Sequence, residues 1–488
     1  MRVFRVERSL VALLLIFLGT PVRAQTGAPT PLFPPSASAA PPSAAPPPPS
    51  APMGDAAIQS EPLAPVAPVW GGTLGAADRA LPHDMWSTTP RSFVDAALPL
   101  LEPTTSPVLQ NLAHRLLLSN AIMPHGSDPA GGPDLLERRL DSLLTLGMGD
   151  GAALLDAIFQ NTASEGFDRD AVELRITAGD LAGACKMVAD RVAHYRDPWW
   201  DQALVACQAL TGAYDQAALG LNAMREQKSG RDPVFETLID AILGHRARLE
   251  KLPNPTPLRV ALLAATKLPA PADALANAGP AALAVWATSD KVPVAARLVA
   301  GEKAEAFGAL PPAGLGLLYS AVPFRPEEQG ALLKSGKLPD DPRSRAILYN
   351  LARTSEPGAM RVAALAPLIA DARRRGDLVS MARLVGPLVA ELQPSPEWQS
   401  FAGDAARVLL AVRAYDRAAP WVELAGRPEL RVIAGFAASG EDSAPPPLGD
   451  AAAALTALDP KAAPRQTDLL FSLAAALGEP VAGIDIAP

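Results

Sequence analysis

Five histidines and two cysteines are the side chains of this 488-residue chain best suited to hold a metal or to pair a nucleophile with a base. His83, His114, His125, His194 and His245 fall in separate segments. None forms an i,i+4 pair or a His-Glu-x-x-His motif, so their spacing builds no zinc site. No Gly-x-Ser-x-Gly elbow occurs. Gly330, Gly336 and Lys337 approximate a phosphate loop, but one residue too many separates the glycines and no Ser or Thr follows the lysine. Gly147, Gly149 and Gly151 follow no strand and read as a flexible turn rather than a dinucleotide fingerprint. Glu327-Glu328 is an ordinary pair for a helix surface. Trp199-Trp200 could stack a ligand, but the preferred reading is hairpin packing, with one ring buried and the other shielding the turn. The expectation is a chain with no catalytic, cofactor-binding or metal residues, and so not an enzyme.

The cysteines are better placed for each other. Cys185 falls in a helix expected over Asp180–His194 and Cys207 in one over Pro198–Leu210. The turn between them centres on Arg196, 11 residues from each. In an antiparallel hairpin, residues equidistant from the turn sit at the same height. Leu181, Val188 and Val192 share a face with Cys185, as Leu204 and Leu210 do with Cys207. The spacing predicts a Cys185–Cys207 disulfide, the alternative being two small buried thiols in unrelated positions.

An oxidising compartment fits the N-terminus. Arg2, Arg5 and Arg8 precede an apolar run, Leu10–Leu18, and Val22 and Ala24 occupy the small-residue positions of a cut between Ala24 and Gln25. Residues 1–24 therefore read as a signal peptide, with an uncleaved inner-membrane anchor as the alternative. Residues 25–69 read as a disordered Pro/Ala-rich tether: 14 of the 44 residues from Gln25 to Pro68 are proline, and such a segment buries no core. No later stretch is long and apolar enough to be a transmembrane segment.

Residues 70–488 read as all-α. The chain is 49% hydrophobic but only 5% aromatic, dominated by Ala and Leu, and shows no alternating strand pattern. Ser106-Pro107, Asp197-Pro198, Asp232-Pro233 and Asp341-Pro342 read as a cap followed by proline at the first helical position. Arg373-Arg374-Arg375 reads as a helix C-terminus, where cations complement the dipole. Ala213-Tyr214-Asp215-Gln216-Ala217-Ala218 recurs as Ala414-Tyr415-Asp416-Arg417-Ala418-Ala419. Gly179, Gly212 and Gly376 precede such turns, and Arg413 fills the glycine slot of the last. Each turn places a bulky residue at +2, expected to plug the hairpin, and a small one (or Met381) at +5, expected to admit the next helix.

At these residues the chain resembles tetratricopeptide-type repeats, over about 175–230 and 370–425. Gly179 to Gly212 spans 33 residues and Gly376 to Arg413 spans 37, near that family's period. Elsewhere the period is not visible. The expected fold is an irregular tetratricopeptide-like helical-hairpin solenoid. The segment with Ala184-Cys185, Asp197-Pro198-Trp199-Trp200-Asp201-Gln202, Cys207-Gln208-Ala209-Leu210 and Ala217-Ala218-Leu219-Gly220, together with Met85-Trp86 and Arg115-Leu116-Leu117-Leu118, resembles an uncharacterised family of Ala-rich, exported alphaproteobacterial proteins. Members are sometimes labelled antifreeze-glycopeptide-like. This chain has no periodic threonine ladder of the kind an ice-binding helix displays.

The net charge of −8 argues against a nucleic-acid partner. The functional expectation is a periplasmic or secreted scaffold that binds an envelope protein or peptide of unknown identity. The alternative is a cell-wall or glycan enzyme, or an activator of one, with a helical superstructure; an acidic cleft would speak for it.

Overall fold

The computed structural model describes residues 71–127, 134–151, 164–227, 231–335, 338–438, 452–453, 461 and 463–476. Contacts divide the chain into Met1–Pro65 and Val66–Pro488, and every described residue lies in the second unit. The expected signal peptide, Ala24–Gln25 cut and tether lie outside the described residues.

The described residues form helices and no named strand. In chain order they are α1 (Arg91–Ala97), α2 (Pro107–Leu118), α3 (Leu135–Thr145), α4 (Glu165–Thr177), α5 (Leu181–Arg191), α6 (Pro198–Leu210) and α7 (Tyr214–Gln227). There follow α8 (Pro233–Ile242), α9 (Pro257–Ala265), α10 (Ala272–Asn277), α11 (Pro280–Thr288), α12 (Val294–Ala306), α13 (Pro312–Ser320) and α14 (Pro326–Ser335). The last are α15 (Pro342–Thr354), α16 (Ala359–Arg375), α17 (Leu378–Ala390), α18 (Gln399–Ala411), α19 (Tyr415–Ala425), α20 (Pro428–Ala438) and α21 (Ala463–Ala476).

The four Ser-Pro and Asp-Pro steps open α2, α6, α8 and α15. The aspartates at three of them accept first-turn N–H groups: Asp197 from Trp199, Asp232 from Val234 and Phe235, and Asp341 from Ser344. Each cap satisfies a donor that the helix cannot satisfy itself.

The helix ends reveal more repetition than the sequence does. Gly147, Gly179, Gly212, Gly244, Gly308 and Gly376 all adopt positive φ, and so does Arg413 at +60°. At each, the next residue donates its N–H five residues back: Met148 to Leu143, Asp180 to Arg175, Ala213 to Gln208, His245 to Asp240, Ala309 to Ala304, Asp377 to Ala372 and Ala414 to Leu409. This left-handed C-cap reverses the chain into the next element. The first four fall 32 or 33 residues apart, and Gly244 to Gly308 is 64, a double step. The period is therefore kept through the middle of the chain, where prolines and variable loops hide it in the sequence.

At the turns, Ala184, Ala217 and Ala418 are completely buried and Met381 nearly so, letting neighbouring helices approach. The +2 side chains behave differently. Leu181, Leu378 and Tyr415 are half-buried, and Tyr214 is 52% exposed. The expected plug is absent at Tyr214.

Successive helices pack as hairpins around a core of Leu and Ala, with Trp200, Trp286 and Trp421 the largest fully buried side chains. A buried ionic cluster ties α12, α15 and α16. Arg345 meets Glu302 at 2.7 Å and Asp371 at 3.4 Å, and the Tyr319 hydroxyl donates to Glu302. Arg374 and Arg375 also pair with Asp371, and Arg373 with Asp404. The arginine triplet ends α16, as expected, and each of its guanidiniums is paired.

Candidate functional site

A cleft of about 630 Å³ opens between α3 and α4 and is closed by the first turns of α9 and α11. Four carboxylates line it, from Glu137, Asp141, Asp170 and Glu173, with the guanidiniums of Arg138 and Arg169. The helical register explains the grouping. Glu137 and Asp141 are four apart on α3, and Asp170 and Glu173 three apart on α4, so each pair shares a face.

Two of the four have structural employment. Glu137 accepts from the hydroxyl of Ser164, the N-cap of α4, at 2.6 Å and lies against Gly166 in the first turn, where a β-carbon would meet its oxygen at 2.0 Å. Glu173 is buried and accepts the N–H of Leu258, in the first turn of α9, at 2.8 Å. Each places negative charge at the positive end of a helix. Burial pushes the Glu173 carboxyl up, opposed by the Leu258 N–H and the Thr256 hydroxyl.

Asp141 and Asp170 are not so employed. Asp141 is exposed, and neither makes a hydrogen bond or ion pair with another described residue. Burial, then the charges of Asp141 and Glu137, push Asp170 up to about 8; Arg169 opposes and Glu173 adds. The carboxyl therefore exchanges its proton near neutrality. Partial desolvation pushes the Asp141 carboxyl up too, opposed by the Arg138 charge. A cation entering the cleft would favour the ionised form of both carboxyls.

The cleft continues towards Trp199. Arg169 and Thr256 also line a smaller hollow of about 180 Å³ with Trp199, Gln202 and Phe235. The tryptophan pair divides as the packing reading expects. Trp200 is 1% exposed and stacks on Tyr195 with ring centroids 4.9 Å apart, while Trp199 packs edge-on against it and lies under Arg169.

The expected disulfide is present. Cys185 on α5 and Cys207 on α6 are bonded, with α-carbons 5.4 Å apart. The five histidines stay dispersed. His114 pairs with Asp150 at 2.6 Å and His245 with Asp240 at 3.2 Å. Among the described residues no group of three or more His, Cys, Asp or Glu side chains is placed to hold a metal ion. No described helix is long and apolar enough to cross a membrane.

Sequence reasoning missed the cleft. Its carboxylates lie on two helices set well apart along the sequence, and nothing in the linear order marks which pairs face each other. The available signal was the i,i+4 acidic spacing within α3 and the i,i+3 spacing within α4. No protein-family model matches this chain, and neither does any curated protein or solved structure.

Proposed function

We propose that the chain is an exported helical-hairpin scaffold of the cell envelope, and that its acidic cleft receives a cationic segment of a partner protein or peptide. The observation that carries this reading is the pair Asp141 and Asp170, which have no partner of their own in a cleft whose other two carboxylates are committed to helix ends. Export is supported by the signal-like N-terminus, the resemblance to exported Ala-rich proteins and a disulfide compatible with an oxidising compartment. A cleft with this charge repels phosphate, in keeping with a partner that is not nucleic acid.

Isothermal titration of the mature chain with tetralysine and tetraglutamate tests the reading. Tetralysine binds, more weakly as salt is raised, and Asp141→Asn with Asp170→Asn removes the heat. Equal binding by the double variant overturns the assignment of the cleft.

The raised proton affinity of Asp170, in one cleft with Asp141, favours a second reading, a cell-wall glycan hydrolase using one as acid and the other as base or nucleophile. Release of soluble fragments from purified peptidoglycan, lost in either Asn variant, would replace the first reading with this one. The expected result is no turnover.

A further inference from the structure

A second cavity, of about 250 Å³, lies between the C-terminal end of α9, the side of α11 and the start of α12. Leu263, Leu268, Trp286, Val292 and Ala296 line it, with Trp286 and Val292 buried. Thr266 is the one hydroxyl in its wall, and that hydroxyl is occupied: it donates to the Leu263 carbonyl at 2.7 Å and accepts the Leu268 N–H at 3.1 Å. Apart from the indole N–H of Trp286, the side chains of the interior therefore offer a ligand apolar surface.

The mouth has the opposite character. Lys291 is exposed at the rim and makes no hydrogen bond or ion pair with another described residue. Beside it begins α12, 13 residues long, whose N-cap is Pro293 and carries no capping side chain. Pro293 and Ala296, at the start of this helix, line the cavity too, so the positive end of its dipole stands beside the Lys291 ammonium. An apolar hollow under a positive rim selects an apolar group attached to an anion and disfavours one attached to a cation. Size narrows the choice, since a dry cavity of about 150 Å³ accepts a benzene ring. This one holds a single phenylalanine or leucine side chain.

We propose that this cavity anchors a partner segment presenting one phenylalanine or leucine beside a carboxylate. The side chain lies on Trp286, and the carboxylate meets Lys291 and the open end of α12. The proposal deepens the scaffold reading and rests on it, but uses a surface distinct from the acidic cleft, which selects the opposite charge.

The test is fluorescence anisotropy of the full mature chain with labelled, end-blocked Asp-Phe-Asp, Lys-Phe-Lys and Asp-Ala-Asp. The first binds, and the other two bind more weakly by roughly tenfold or more, the weight of one buried apolar side chain. Ala296→Leu, which fills the cavity, and Lys291→Glu, which reverses the rim, each weaken Asp-Phe-Asp to a similar degree while melting like the parent. Equal binding of Asp-Ala-Asp, or no loss in Ala296→Leu, overturns the proposal, and so does binding of fluorescent-labelled decanoate when none of the peptides binds. Crosslinking in the native envelope separates the two levels. The same partner on the parent and on Ala296→Leu keeps the scaffold and discards this anchor; no partner on either discards both.

Discussion

Asp170 is a carboxyl that folding moves out of water and towards other carboxylates, and its effect on stability follows from the direction of its shift. The folded value, about 8, lies above the ordinary aspartate value of 3.8. The folded state therefore holds a proton that the unfolded state releases, so this group's contribution is complete below about pH 4 and is lost as pH rises through 8. Asp170→Asn keeps the shape and removes the charge. The variant matches the parent at pH 3.5 and is more stable by roughly 1–3 kcal/mol at pH 8. Urea unfolding at the two pH values measures the difference; an advantage equal at both would mean that charge is not its source. The disulfide acts on the unfolded chain instead. Closing a loop of 22 residues between Cys185 and Cys207 contributes about 3 kcal/mol in the chain-entropy model. Reduction should lower the urea midpoint accordingly, and Cys185→Ser with Cys207→Ser should reproduce the lowered midpoint with no further effect of reductant.

At the scale of elements, the left-handed C-caps carry the repeat, and they differ in what occupies them. Gly179 has nothing within 4 Å of where a β-carbon would stand, so Gly179→Ala costs about 1–2 kcal/mol through φ alone, not through a clash. Arg413 already bears that strain at φ +60°. Arg413→Gly relieves it, less the entropy of glycine, for a net gain of up to about 1 kcal/mol. Thermal melts of the two variants shift in opposite directions; a loss in Arg413→Gly would mean that the arginine side chain contributes more than its backbone costs. These turns also show what was legible in the sequence. Helix starts were readable because Asp-Pro is a local signal whose cap bonds lie within three residues. The hairpin register at Cys185 and Cys207 was readable because a short turn fixes it. The turns at Gly244 and Gly308 were hidden, since a lone glycine marks a C-cap only once the helix before it is known; Gly147 read as a turn, but not as a member of the repeat. The acidic cleft was hidden for a further reason: it is made where α9 and α11 return against α3 and α4, and no linear pattern encodes that meeting. The Lys291 cavity is local, lined from the end of α9 to the start of α12, but which of those side chains turn towards one hollow is set by how the helices pack.

At the scale of the whole folded unit, helical repeats ordinarily contact only their neighbours, so they unfold from the ends. This chain departs from that scheme at Gln110 on α2. Its side-chain amide donates at 2.7 Å to the carbonyl of Ala306, at the end of α12, and its oxygen accepts from Arg383 on α17 at 3.3 Å. The tie reaches 196 and 273 residues along the chain. Arg383 in turn donates to the Glu305 carbonyl at 3.1 Å and pairs with the buried Glu305 carboxylate at 2.9 Å, so one polar cluster fastens three distant elements. The first turns of α2 are otherwise less firmly held, with Val108, Leu109 and Leu112 exposed, whereas Leu117 and Leu118 at its end are buried. Removing the amide in Gln110→Ala leaves the carbonyl of Ala306 and the guanidinium of Arg383 each short of a partner, at a cost of roughly 1–3 kcal/mol. The loss should fall on cooperativity as much as on the midpoint. With the tie intact, amides of α2 and of α12 exchange hydrogen through the same large-scale opening. In Gln110→Ala, α2 exchanges ahead of α12 through a local opening of its own. Hydrogen exchange followed by mass spectrometry resolves the two helices, and unchanged, matched protection of α2 and α12 in the variant would show that apolar packing alone joins the start of the unit to its middle.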